Sequence, residues 1–339
     1  MKNEMLGDRK KRGLFQKAKQ CAEEANRRIE LEENKQKKEE EVQKGYLEFM
    51  AQTEKQQDYL YGVSFSPDSS YLATTCGTGK ITLYYLKDVE NGKLEVLQKL
   101  RLDDEGKDKA KGVSFSENGN LLAVGFDSGK LIAFHVYGGG LSEGPSMSFK
   151  ESVKGVAFSN DGSLLATGTG DGRIKISEIN PSLKNTFGHS TLNLEDYLTD
   201  YIDERPLENA KGIAISQDNK YLAVGTSHEG IRLFGIDKKI IKAFGRTDLN
   251  PLKGSKDKGY PIRGVAFSPC GNYLAAGTDN YSLLLYKIEK TNGNLKEINS
   301  FVQNSDVYGI AFSRDGRYLA TAGNGGLAKV FKVGKNLLK

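Results

Sequence analysis

With 339 residues, 37% hydrophobic and 27% charged, the chain has the make-up of a globular protein of one large domain or two smaller ones. No stretch approaches the ~20 consecutive apolar residues of a membrane helix, so a transmembrane protein is not expected. A net charge of +5, from 49 basic and 44 acidic residues, lacks the lopsided balance of a dedicated nucleic-acid binder.

The start, Met1 to Arg12, is charged and carries no apolar run of the secretory kind, which makes the cytosol, or the nucleus, the expected compartment. Residues 8 to 45 are rich in Glu, Lys, Gln and Ala and free of proline, and predict a helix. Leu14, Ala18, Cys21, Ala22, Ala25 and Ile29 give it a thin apolar stripe, while Glu32 to Glu41 holds no apolar residue, so a long coiled coil is not supported. Two readings of this extension stand side by side: a solvated helix, or a helix whose short stripe docks on a partner. Arg9-Lys-Lys-Arg12 adds a basic run of the sort that addresses a nucleus, an anionic membrane or nucleic acid. Residues 1–45 are thus set apart from a second region, 46–339, which opens with an alternating segment, Leu47 to Thr53.

That second region repeats itself. One phrase occurs as Gly62-Val-Ser-Phe-Ser66, Gly112-Val-Ser-Phe-Ser116, Gly155-Val-Ala-Phe-Ser159, Gly212-Ile-Ala-Ile-Ser216, Gly264-Val-Ala-Phe-Ser268 and Gly309-Ile-Ala-Phe-Ser313, at spacings of 50, 43, 57, 52 and 45 residues. Each runs into a polar turn, then an apolar triplet such as Tyr71-Leu-Ala73, then a second turn and an alternating strand such as Ile81 to Tyr84. A fourth run lies in most linkers, for example Leu94 to Leu100 and Ile240 to Phe244. Short β runs joined by Gly, Asp and Asn turns predict antiparallel meanders. Four strands every ~40–50 residues is the period of a propeller blade. The glycine that opens each phrase is expected where inner strands crowd together at an axis.

On these six phrases, residues 59–335 resemble the WD-repeat (tryptophan–aspartate repeat) β-propeller family. The resemblance implies an all-β fold: a six-bladed β-propeller of four-stranded antiparallel blades behind an N-terminal α-helical extension. The family usually has seven blades, but the longest gap, Gly155 to Gly212, exceeds the shortest by 14 residues, too few for another blade. The ring closes either with Leu47–Thr53 or with the tail after Val333. Departures are clear. The protein has no tryptophan, and the family's Trp position holds Tyr84, Phe134, Ser177, Phe234, Tyr286 and Phe331. The family's turn aspartate survives only as Asp171, so packing has to replace its hydrogen-bonded staple.

Catalytic signals are missing. His135, His189 and His228 stand in different repeats without metal-ligand spacing, and Cys21, Cys76 and Cys270 lie far apart with no CxxC pair. No GxSxG elbow or phosphate-cradling loop occurs. Asp68, Asp161, Asp218 and Asp315 recur in one turn and read as scaffold. No enzyme, no metal and no cofactor is therefore expected. The resemblance places the residue before each phrase glycine near the channel mouth, where family members often touch ligands. Here those residues are Tyr61, Lys111, Lys154, Lys211, Arg263 and Tyr308, extended by Tyr59 and Lys109, with Asp127 and Asp279 expected on the same face. Four cations within about a Debye length, ~8–10 Å, repel one another and favour an anionic ligand. The expectation is a scaffold that binds an acidic or phosphorylated protein segment on this basic face. The alternative is nucleic acid or anionic lipid held by the same face and the N-terminal basic run.

Overall fold

A computed structural model describes residues 45–102, 105–180, 198–203, 209–228, 230–236, 250–252, 260–289 and 294–337. The helix expected over 8–45 lies outside these residues, apart from Gly45, which sits in a turn. Contact density sets off a unit from Leu47 onward, and it contains six antiparallel sheets.

The first blade orders its strands from the axis outward as Leu60–Phe65, Tyr71–Cys76, Lys80–Tyr85 and Glu95–Arg101. β-Branched and aromatic residues fill these runs, and the turns between them carry their own staples. The Ser66 hydroxyl donates to Asp68 Oδ1 at 2.5 Å and accepts the Tyr71 N–H at 2.9 Å. The same serine–acid turn recurs at Ser159–Asp161, Ser216–Asp218 and Ser313–Asp315, with Asn118 and Cys270 standing in for the acid in the other two blades. These aspartates are structural. Burial alone would raise the Asp68 and Asp315 carboxyls, but hydrogen bonds from the serine hydroxyl and nearby N–H groups hold both below the ordinary value.

The ring closes through Leu47–Gln52, which pairs with Ala328–Val333 as the outer strand of the sixth blade. Of the two routes open in the sequence, the chain takes the N-terminal one. Two blades differ from expectation. The fourth takes Asn250–Leu252 as its outer strand, and the run from Ile240 to Phe244 lies outside the described residues. The second gains a short strand, Gly140–Ser142, that folds back on Lys130–Tyr137 through Gly138 and Gly139, both at positive φ.

Apolar clusters sit between blades more than within them. Ile81 and Leu83 of the first blade pack with Val113, Phe115, Leu122 and Phe134 of the second. Ala51, Val330 and Tyr318 of the last blade pack with Leu60, Leu72 and Tyr84 of the first. At the positions where the family carries tryptophan, Tyr84, Phe134 and Tyr286 are fully buried.

Six glycines complete the axis. A methyl group on Gly62 would lie 2.5 Å from the Lys111 carbonyl oxygen, and one on Gly112 would lie 2.8 Å from that of Lys154. The series continues with Gly155 against Lys211, Gly212 against Arg263, Gly264 against Tyr308 and Gly309 against Tyr61, returning to the start. Each blade thus rests its bare glycine on the next blade's backbone. A larger residue would have to push that backbone aside.

Candidate functional site

The carbonyls that receive these glycines belong to the six residues singled out from sequence, and the backbone explains how their side chains are aimed. In blades one, three, five and six the pairing of inner and second strands skips one residue: Tyr61, Lys154, Arg263 and Tyr308. Blade two skips Lys111 and Gly112, and the ladder of blade four begins only at Ile213, after Lys211. A bulged residue leaves the ladder and turns its side chain out of the pleat. Here it turns toward the upper mouth of the channel.

Tyr61, Lys154, Lys211, Arg263 and Tyr308 line a recess of about 60 Å³ floored by the phrase glycines and the valine or isoleucine after each. Lys111 is turned aside. Its ammonium lies 3.6 Å from the centre of the Tyr61 ring and 3.7 Å from Asp127. Tyr61 stacks on Tyr308 with ring centres 5.5 Å apart and planes within 10°, as the neighbouring first and sixth blades require. Tyr59 meets both rings edge-on, at 6.4 and 6.1 Å. On the far side Arg263 lies 5.0 Å from the Tyr308 ring and grips Asp279 with two hydrogen bonds of 2.5 and 2.6 Å. The result is a stack of cation, ring, ring and cation, held at each end by a carboxylate. Such contacts contribute about 0.5–2 kcal/mol each as water is excluded.

The other side of the mouth is different. Lys154 donates to Asn209 Oδ1 at 2.8 Å, and among the described residues neither Lys154 nor Lys211 has a carboxylate within ion-pair distance. Burial pushes Lys211 down to about 8, with Arg263 and Lys154 adding repulsion and Asp279 opposing it. Burial also pushes Lys111 down to about 8, against Asp127, and lowers Lys154. Burial would lower Arg263 as well, but the Asp279 pair overrides it and its value rises.

Asp127 and Asp279 therefore stand where expected, each on one cation. Sequence reasoning missed the polar groups one layer out. Asp306 accepts from Asn324 Nδ2 at 2.7 Å and from the Tyr308 hydroxyl at 3.3 Å, and Asn209 steadies Lys154. A signal was present, because Asp58, Asp108 and Asp306 all stand two or three residues before a mouth residue. Among the described residues no group of three His, Cys, Asp or Glu side chains could hold a metal ion.

Comparison with known proteins now bears on this geometry. The family model described as WD40, "WD domain, G-beta repeat", matches residues 50–84, 144–176, 247–287 and 295–332. The chain is a WD-repeat β-propeller. The matched spans hold the phrases of blades one, three, five and six, and the WD-repeat ring is completed by blades two and four, whose phrases fall outside them. Two solved structures share the fold. One is the β-propeller domain of Cps50 (Swd1) from Myceliophteria thermophila, with a TM-score of 0.59 and 16% identity over 85% of this chain and 99% of that one. The other is a chain of a mitotic checkpoint complex, with a TM-score of 0.54 and 18% identity over 83% of this chain and 79% of that one. WD-repeat propellers generally serve as non-catalytic scaffolds for protein assembly. Among the described residues no helix is long and apolar enough to cross a membrane.

Proposed function

We propose that this propeller is a non-catalytic scaffold that binds an acidic or phosphorylated segment of a partner protein at the basic upper mouth of its channel. One observation carries the reading: Lys154 and Lys211 face the recess from adjacent blades and, among the described residues, form no ion pair with a carboxylate, while Lys111 and Arg263 are already paired. Clustered cations beside low-dielectric walls focus negative ligands and speed their arrival. Tyrosines at the rim supply rigid amphipathic contact area. The occurrence of this fold in a mitotic checkpoint complex fits a role inside a protein assembly. Residues 1–45 would then act as a separate tether, joining the scaffold to a larger complex.

The test is an array of acidic, phosphorylated and neutral peptides, read with the full chain and with the Lys154→Glu, Lys211→Glu double variant. The wild type should retain acidic and phosphorylated peptides over neutral ones, and charge reversal should weaken them by about tenfold or more with an unchanged circular dichroism spectrum. Full retention by the double variant would remove the upper mouth from the binding site. Tighter binding of RNA, DNA or anionic vesicles, with a steep loss on adding salt, would favour nucleic acid or lipid instead.

A further inference from the structure

We propose that the outer edge of the fifth blade is a second interaction surface, where an extended, uncharged segment of a partner protein adds a strand beside residues 298–302 and packs on Tyr281. The inference does not depend on the reading of the mouth. Backbone strain marks the place. In blades one, two, three and six the turn between the second and third strands holds a glycine at positive φ, namely Gly79, Gly129, Gly172 and Gly326. The fifth blade has Tyr281 there, at φ 63°. A left-handed tyrosine costs stability that glycine would not, and a ring 52% exposed recovers little of it by packing. Strain kept at the surface points to a contact outside the chain.

The strand edge beside it is bare. The fifth blade's outer strand, Asn294–Val302, is 9 residues long and ends its sheet, with no further strand beside it among the described residues. A free edge is a template for strand pairing unless it is short, charged or covered. The outer strands of blades two and four, Ser146–Ser148 and Asn250–Leu252, have only 3 residues each. On the first blade Gln98 donates to the Leu141 carbonyl at 3.2 Å and accepts the Leu141 N–H, so a segment of the next blade covers Glu95–Arg101. On the sixth, the turn at Val89–Asn91 packs on Leu47–Gln52. The fifth edge carries Lys296 and Glu297 before a bulge at Ile298, and after the bulge it carries no charge.

Hydrogen bonding shows which groups are available. The Gln303 N–H bonds inward to the Tyr281 carbonyl at 2.5 Å, whereas the Ser300 N–H takes the side-chain oxygen of Asn299 at 2.8 Å instead of a ladder partner. Main-chain direction alternates along a strand, so Ser300 and Val302 turn their main-chain groups outward. Val302, 83% exposed, pairs with Ser282, the residue after Tyr281, which brings both apolar positions to one end of the edge. Charge defines the occupant. From Ile298 to Ser305 no residue is charged, in a chain that is 27% charged. Lys329 and Asp306 border this run but are engaged by Gln303 and Asn324. A charged segment would lose hydration here without gaining a counter-charge, whereas an uncharged β-branched one loses little and gains main-chain hydrogen bonds. Residues 8 to 45, rich in Glu and Lys, lack that character, so the occupant comes from another protein.

The experiment presents the full chain with a degenerate library of short peptides drawn from Val, Ile, Thr, Ser and Tyr, read by fluorescence anisotropy and by hydrogen exchange of main-chain amides. Binding should slow exchange of the Val302 N–H about tenfold or more, and methylating alternate peptide nitrogens of the library should weaken binding by about as much. Val302→Lys and Ser300→Pro should each weaken it about tenfold, and neither touches a main-chain hydrogen bond within the blade. Tyr281→Gly should weaken binding while raising the midpoint of chemical denaturation, a combination that a purely structural tyrosine would not give. The Lys154→Glu, Lys211→Glu double variant should bind the library as the wild type does, which separates this surface from the mouth. Absence of binding, equal binding of the methylated library, or full retention by both Val302→Lys and Ser300→Pro would overturn the proposal. So would a lowered denaturation midpoint in Tyr281→Gly. Self-association of the full chain that Val302→Lys abolishes would assign the edge to a second copy and overturn the partner assignment.

Discussion

The two mouths of the channel are cut from the same six inner strands, yet they share almost no chemistry. The lower mouth opens on a cavity of about 210 Å³ lined by Phe65, Phe115, Phe158, Ile215, Phe267 and Phe312, five of six positions being the same residue. The upper mouth, four residues back along each strand, carries two tyrosines, three lysines and an arginine. At the lower end the side chains stay in the pleat and fill the seams between blades, so a large apolar residue is required at every position. At the upper end a bulge takes the residue out of the pleat, packing no longer dictates its identity, and its chemistry is free to differ from blade to blade. A repeat protein is constant where blades touch and individual where they do not. Function is to be sought in the individual half.

Breaking the constant half should therefore cost stability and spare the charge of the upper mouth. Phe158→Ala removes a ring buried among Leu121, Val156 and Leu165 at a blade seam. The expected loss is about 3–5 kcal/mol, seen as a lowered midpoint of chemical denaturation. An effect under about 1 kcal/mol would mean the seams are not what holds the blades. Gly62→Ala probes the level where the halves meet. Its methyl would press on the Lys111 carbonyl oxygen at 2.5 Å and on Thr75 Oγ1, which donates to that same oxygen. Overpacking of this kind costs about 1–3 kcal/mol, and since the displaced group is the backbone of a mouth residue, acidic-peptide binding should weaken as well. Loss of stability without loss of binding would separate the glycine ring from the site above it.

How much could be read beforehand follows the same division. The six phrases, their turns and their apolar triplets repeat because packing repeats, so blade number and strand order were legible in Gly62 through Ser313. The closing strand was narrowed to two candidates, because Leu47–Thr53 and the tail look equally plausible until pairing with Ala328–Val333 is known. The extra strand at Gly140–Ser142 went unforeseen, although Gly138 and Gly139 mark its turn. At the site, the identity of the mouth residues was legible through the family resemblance, but its cause was not. A bulge depends on the register between two strands, which no single phrase encodes. Nor could the sequence divide the mouth into a compensated half and an uncompensated one, because that depends on which lysine reaches Asp127.

Burial of the lysines at the mouth also has a signature in the apoprotein. Lys111 and Lys211 have ordinary values of 10.5 and fall to about 8 in the folded state, burial being the main cause for each. A base whose value drops on folding binds fewer protons folded than unfolded between the two values. Stability accordingly rises with pH across about 8 to 10.5 and is flat with respect to these groups below that window. The gain should be about 1 kcal/mol, well under the full linkage value, because both head groups keep partial contact with water. Melting temperatures across this range, compared between the wild type and the Lys111→Met, Lys211→Met double variant, isolate the effect. The wild type should approach the variant as pH rises, and a saturating acidic ligand at the mouth should reduce the rise to the share of Lys111 by holding Lys211 charged. Parallel curves for the two proteins would mean that the lysines at the mouth are fully hydrated, and with that the difference between the two ends of the channel would lose its electrostatic half.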